Sequence, residues 1–91
     1  ARAVKRLPLG VASTFRYWGD ERTIYVHHGK GGRTWDIDGN RYVDYRLGYG
    51  PAILGYADDR VDAAARRGME VGGVFALSTE RELIVADRIA K

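Results

Sequence analysis

The 91-residue chain has no cysteine. That excludes a disulfide framework and any thiolate-ligated metal site. Histidine occurs only as the adjacent pair His27 and His28. Neighbours on a strand face opposite sides of its sheet, so the pair is not expected to chelate one ion, and no metal site is expected. Apolar runs stop after a few residues, against the ~20 needed to cross a bilayer, so no membrane span is expected. Lysine appears only at positions 5, 30 and 91, and the chain holds no internal repeat or low-complexity segment.

What remains is ordinary globular material, 45% hydrophobic and 30% charged, which excludes wholesale disorder. The net charge of +3 is unevenly placed. Residues 1–19 hold Arg2, Lys5, Arg6 and Arg16 with no acid, and the rest is close to neutral. Pro8 and Gly10 interrupt any amphipathic transit helix there, and a secretory apolar core is missing, so a cytoplasmic location is the default expectation. A chain this short buries a marginal core without disulfides to help it. It is expected to be part of something larger.

Residues 1–22 read mostly as irregular coil. Thr23–His28 alternates β-branched and aromatic residues and predicts a strand, with a turn at Gly29–Gly32. Arg33–Ile37 alternates again. Asp38-Gly39 predicts a tight primed hairpin turn, and Arg41–Tyr45 returns as a third strand. The aromatics Tyr25, Trp35, Tyr42 and Tyr45 are expected to be core. Gly48–Pro51 breaks the pattern. Asp58 is placed to cap a helix with Asp59 and Asp62 in its first turn, a Val61/Ala64/Ala65 stripe, and Gly68 as its stop. Thr79–Glu82 matches a capping box, opening a second helix with Leu83, Ala86 and Ala90 on one face. The fold class is α+β: coil, three-stranded antiparallel meander over 23–46, and a helical part over 58–91.

Several chemistries fail on spacing. The glycines of 48–55 do not fit G-x-G-x-x-G, and no Lys-Ser/Thr pair completes a phosphate loop. Nothing places Ser13 or Ser78 beside a histidine for a nucleophilic triad. Asp36 and Asp38, on one face of the second strand, read as hairpin chemistry rather than paired acid and base. Aromatic strands could stack nucleic-acid bases, but the meander balances Lys30, Arg33 and Arg41 against Asp36, Asp38 and Asp44. No nucleic-acid partner is expected.

The run Asp36-Ile37-Asp38-Gly39-Asn40-Arg41-Tyr42-Val43-Asp44-Tyr45 carries the pattern D-x-D-G-x-x-Y-x-D-Y. With Leu47–Gly55 behind it, it resembles the N-terminal sheet and glycine-rich turn of class III aminotransferases. These are fold-type-I enzymes that use pyridoxal 5′-phosphate (PLP). The coil Pro8-Leu9-Gly10-Val11-Ala12-Ser13-Thr14-Phe15-Arg16 is similar to the P-G-G-V-x-S-P-x-R of the glutamate-1-semialdehyde 2,1-aminomutase branch and its relatives acting on β-amino acids. The resemblance runs from about Pro8 to Lys91. It implies that Ser13 and Arg16 hold the substrate carboxylate, which a two-pronged guanidinium and a hydroxyl suit chemically. It further implies that Tyr49, where the branch usually has tryptophan, lines the substrate pocket. Val74-Phe75-Ala76 matches a segment reaching the neighbouring subunit of a homodimer. The family's G-H-x-H-P is replaced by Gly55-Tyr56-Ala57-Asp58-Asp59, which marks a divergent transaminase more than a housekeeping aminomutase.

PLP chemistry needs an anchoring lysine, an acid on the pyridinium nitrogen and phosphate donors. Lys5, Lys30 and Lys91 sit in coil, turn and terminus, so no catalytic residue is expected in this chain. The family keeps those groups in the large downstream domain. The expected activity of the whole enzyme is amino transfer from a carboxylate-bearing amino acid to a keto acid or aldehyde. The alternatives are the aminomutase reaction, or a stand-alone module binding nucleic acid or protein through the basic segment 1–19. In that last case binding should weaken steeply with salt.

Overall fold

Alternating β-branched and aromatic side chains build a three-stranded antiparallel sheet of order β1 (Val26–Lys30), β2 (Arg33–Asp36) and β3 (Arg41–Val43). The computed structural model describes residues 2–91. It divides into two compact units, one ending at Asp58 and the other running Asp59–Lys91. The α+β class and the antiparallel meander stand as the sequence predicts.

The strand edges differ, each for a local reason. β1 starts later than expected and takes in Gly29 and Lys30, so the turn shrinks to Gly31-Gly32. Gly31, at φ 57, exchanges backbone hydrogen bonds of 2.9 and 2.8 Å with Tyr56 and ties the following loop to the sheet. The β2–β3 connection is not a two-residue primed turn. Arg41 pairs with Trp35, and the Asp36 amide donates to the Asn40 carbonyl at 3.0 Å, leaving Ile37, Asp38 and Gly39 as a three-residue loop. Only Gly39 takes positive φ there (86°), the pattern of a turn closed by one left-handed glycine. Asp38 therefore lies in the loop and does not share a strand face with Asp36.

The N-terminal segment is more regular than coil. Single 3-10 turns occur at Ala3–Lys5, Pro8–Gly10 and Thr14–Arg16, the second opened by proline at its first position. The Tyr25 hydroxyl donates to the Gly10 carbonyl at 2.7 Å and fastens this segment to the sheet. Burial is sparse. Val11 is the only buried apolar residue among those described, and none of the expected core aromatics is buried; Tyr45 is almost fully exposed.

In the second unit, α1 (Asp59–Glu70) runs through Gly68, contrary to the expected stop. The Arg81 Nη1 lies 2.7 Å from where a Gly68 Cβ would sit, so this glycine makes room for an arginine. The break comes at Gly72, at φ 101. α2 (Glu80–Ile89) opens on the predicted capping box, with the Thr79 amide donating to Glu82 Oε1 at 3.1 Å. Among the described residues no helix is long and apolar enough to cross a membrane.

Candidate functional site

Ser13 and Arg16 bracket one 3-10 turn, the Arg16 amide donating to the Ser13 carbonyl at 3.0 Å. Ser13 is half-buried and spends no hydroxyl bond on capping that turn, while Arg16 is exposed. Both side chains keep their polar ends for another partner. The Arg16 guanidinium carbon sits 5.1 Å from the centroid of the Phe15 ring, which steadies the arginine without using its donors.

Asp44 shapes the loop that presents Tyr49. Its Oδ1 accepts from the Arg46 and Leu47 amides at 2.7 and 3.1 Å, and its Oδ2 accepts from the Tyr56 hydroxyl. That hydroxyl, with the Arg46, Leu47 and Gly48 amides, holds the Asp44 carboxyl below its ordinary range. Leu47, Gly48, Tyr49 and Gly50 all follow at positive φ (53, 61, 68 and 110°). Two of them are not glycine, each costing on the order of 1–2 kcal/mol. The Tyr49 amide donates to the Arg46 carbonyl at 3.0 Å, and the Ala52 amide donates to the Leu47 carbonyl at 3.0 Å.

Phe15 joins the two parts. Its ring meets the Tyr49 ring edge to face, centroids 5.4 Å apart at 87°. Beyond Tyr49 stands Arg46, with its Nη1 2.6 Å from the Tyr49 hydroxyl oxygen and its guanidinium carbon 5.1 Å from the ring centroid. Arg16, Phe15, Tyr49 and Arg46 thus form one continuous row, two rings in contact between two cations. The structure links two of the sequence-predicted site residues, Arg16 and Tyr49, through a residue the sequence reading passed over. Arg46 was missed as well. The available signal was Asp44 two residues before it, since such an aspartate turns the chain back on its own amides.

Other candidates are structural. Asp36, 8% exposed, accepts from the Asp38 amide at 3.0 Å, the Asn40 amide at 2.8 Å, Asn40 Nδ2 at 2.9 Å and the Tyr42 hydroxyl at 2.9 Å. The histidine pair departs from expectation. A β-bulge between Val26 and His28 cancels the alternation, and the two Nδ1 atoms come within 2.9 Å. Their centroids are 5.1 Å apart, which sets the nitrogens facing each other along the line between the rings. That is a hydrogen-bond geometry; the lone pairs do not converge on a third point. His28 also stacks on Trp35 at 4.6 Å. No group of three or more metal-ligating side chains occurs among the described residues. Val74, Phe75 and Ala76 lie exposed in the second unit.

No family-wide sequence profile matches the chain. Individual relatives do. The chain's homologues are PLP-dependent aminotransferases and aminomutases of the class III family, and it matches their N-terminal segment. It is 45% identical over 87 residues to the glutamate-1-semialdehyde 2,1-aminomutase of Thermoplasma volcanium, covering 96% of this chain and 20% of that protein. Among solved structures it superposes on a glutamate-1-semialdehyde aminomutase from Pseudomonas aeruginosa with a TM-score of 0.83 at 30% identity, over 98% of this chain and 20% of that one. An omega-transaminase from Sphaerobacter thermophilus gives 0.82 at 31%, over 94% and 19%. A transaminase solved with PLP bound gives 0.80 at 28%, over 94% and 20%. The chain spans about a fifth of the length of the curated relatives it matches.

Proposed function

We propose that this chain is the substrate-gripping N-terminal segment of a PLP-dependent aminotransferase. The enzyme moves an amino group from a carboxylate-bearing amino acid to a keto acid or aldehyde. Arg16 supplies a bidentate donor to the carboxylate, Ser13 adds a hydroxyl, and Tyr49 forms a wall of the pocket. The observation that carries this is the row Arg16–Phe15–Tyr49–Arg46, which brings the two predicted segments to one place with the Arg16 donors unspent.

The residues present do not themselves form a PLP site. Lys30 Nζ donates to the Ala57 carbonyl at 2.6 Å, and Lys5 and Lys91 are exposed. None of the three is shielded from water as a Schiff-base lysine of such an enzyme would be. PLP, which supplies the electron sink for amino transfer, is accordingly assigned to a part of the enzyme outside these residues. Exposed apolar groups support a covered setting for this segment, among them Val74 and Leu77 at 94% and 83% and Ile53 at 80%. The same reading takes the enzyme as a cytoplasmic homodimer. A second reading, the aminomutase reaction on a single substrate, is favoured by the named activity of the relatives.

The test is Arg16→Ala in the whole enzyme. KM for the carboxylate substrate should rise by roughly 10-fold or more, the worth of a charge-assisted bond, with a smaller change in kcat. Unchanged kinetics remove Arg16 from the site. Product analysis without an added amino acceptor separates the two reactions, since only the mutase turns over.

A further inference from the structure

Residues 2–16 carry the carboxylate grip, and their own backbone hydrogen bonds are local turns. Among the described residues, one hydrogen bond joins the stretch before Phe15 to the sheet. The Tyr25 hydroxyl donates it to the Gly10 carbonyl at 2.7 Å. Close packing does not do this work beside it. An open cavity of about 380 Å³ lies between Arg2, Ala3 and Arg6, around the first 3-10 turn, and Tyr25 and Ile37 on the other side. The hydroxyl makes its bond at the margin of a gap that side chains leave unfilled.

Both ends of that bond are fixed. The Tyr25 carbonyl accepts from the Ile37 amide at 2.9 Å, which ties the residue to the β2–β3 loop that Asp36 organises. Gly10 is buried, and a Cβ there would fall 2.8 Å from the Tyr25 hydroxyl oxygen and 3.2 Å from Val4 Cγ1. Glycine is what admits the hydroxyl. Leu9 and Gly10 both lie at positive φ, 55 and 73°. A left-handed leucine persists where surrounding bonds over-determine it, and such residues gather at active sites and ligand clamps. From this reversal the chain leaves through Val11, extended and buried, and Ser13 is extended too. The place of Gly10 is thus handed along a short stretch to both grip residues.

We infer that Tyr25 is a positioning residue for carboxylate binding: its hydroxyl anchors the coil at Gly10 and so sets where Ser13 and Arg16 stand. It acts through the backbone and not by touching substrate. This deepens the reading of Ser13 and Arg16 as the grip and rests on it. What Tyr25 contributes is bounded by the one bond it makes, so its loss relaxes the grip without abolishing it.

Pentanoate, a monocarboxylate with no amine to react, tests this as a competitive inhibitor of the whole holoenzyme. Tyr25→Phe keeps the ring and removes the bond. It should raise the inhibition constant about 3- to 10-fold, the span of a neutral hydrogen bond. Gly10→Ala crowds the same bond from its other end and should act in the same direction. An inhibition constant does not depend on how much of the enzyme is folded, so a purely structural loss would lower total activity and leave the constant unchanged. In the Arg16→Ala background, Tyr25→Phe should add less than about 2-fold, because the main group it positions is gone. An unchanged constant in Tyr25→Phe overturns the inference. So does an equal rise with and without Arg16, which would show the tyrosine acting on something else. If Arg16→Ala leaves pentanoate binding unaltered, the grip reading fails and the role of Tyr25 falls with it; if it weakens pentanoate while Tyr25→Phe does not, only the positioning role fails.

Discussion

The Asp36 carboxylate accepts a hydrogen bond from the Tyr42 hydroxyl at 2.9 Å, across the loop that joins β2 to β3. Three further donors, from Asp38 and Asn40, complete its shell. A carboxylate so fully engaged has no lone pair to offer a substrate and is held ionised, so its work is to fix the hairpin.

The pH dependence follows from that shell. The Asn40 side chain foremost, then the Tyr42 hydroxyl and the Asn40 and Asp38 amides, hold the Asp36 carboxyl below its ordinary value. A depressed carboxylate stabilises the fold above the unfolded value near pH ~4 and loses that contribution as pH falls through the lower folded value. The melting temperature of the whole protein should therefore decline below about pH 4. Asp36→Asn should melt lower at neutral pH and show a flatter acid limb. An acid limb as steep as the wild type's would mean that other groups drive it.

Asp44 and Tyr56 form a pair with two pH edges. Asp44 is held down chiefly by the Tyr56 hydroxyl, and the Tyr56 hydroxyl is pushed up chiefly by its bond to Asp44. The carboxylate side of the bond fades as pH falls below about 4; the phenol side fades as pH rises through a value above about 10. Tyr56→Phe keeps the ring and removes the bond. The gap in melting temperature between variant and wild type should be widest in mid-range and close at both ends. A gap independent of pH would point to packing alone.

Helix α2 offers a simpler test within its own unit. Replacing the Thr79 cap by alanine should cost about 1 kcal/mol of stability, the usual worth of such a residue. Hydrogen exchange of the Glu82–Leu83 amides should quicken ahead of those at the helix centre. Uniform quickening along α2 would show the cap to be dispensable.

The elements legible in the sequence were those written in local chemistry. Alternation at Arg33–Asp36, the glycine of Asp38-Gly39 and the Thr79/Glu82 box each act within a few residues, and each appears in the structure. The misses came from relations between segments. The bulge at His27 depends on how β1 registers against β2, which no pattern within β1 reveals. Gly68 looked like a helix stop because its second role, making room for Arg81, comes from a residue thirteen positions on. At the site, the coil and the Tyr49 turn were each recognisable alone. What joins them is the Phe15 ring on Tyr49, a contact across 34 positions. Of the aromatics expected as core, Trp35 is half-buried and Tyr25, Tyr42 and Tyr45 are exposed, because strand alternation says which side a residue faces and not whether anything packs on that side.

The glycines around Tyr56 give the sharpest mutational contrast. A Cβ on Gly29 would lie 2.6 Å from Cγ of the Tyr56 ring, so Gly29→Ala must displace the ring that carries the Asp44 bond. Such overpacking costs about 1–3 kcal/mol. Gly55→Ala should cost more. Gly55 sits at φ 82, and its Cβ would fall 2.8 Å from the Gly31 carbonyl oxygen, a backbone atom fixed by the Gly31–Tyr56 bridge. Gly32, next along the same turn, has nothing within 4 Å of the place a Cβ would take and needs no left-handed backbone. Gly32→Ala should fall within about 0.5 kcal/mol of the wild type. Denaturant unfolding of the three variants in the whole protein checks the order Gly55, Gly29, Gly32. If Gly55→Ala were as mild as Gly32→Ala, the bridge would not be holding the loop, and the fixed presentation of Tyr49 would lose its support from that side.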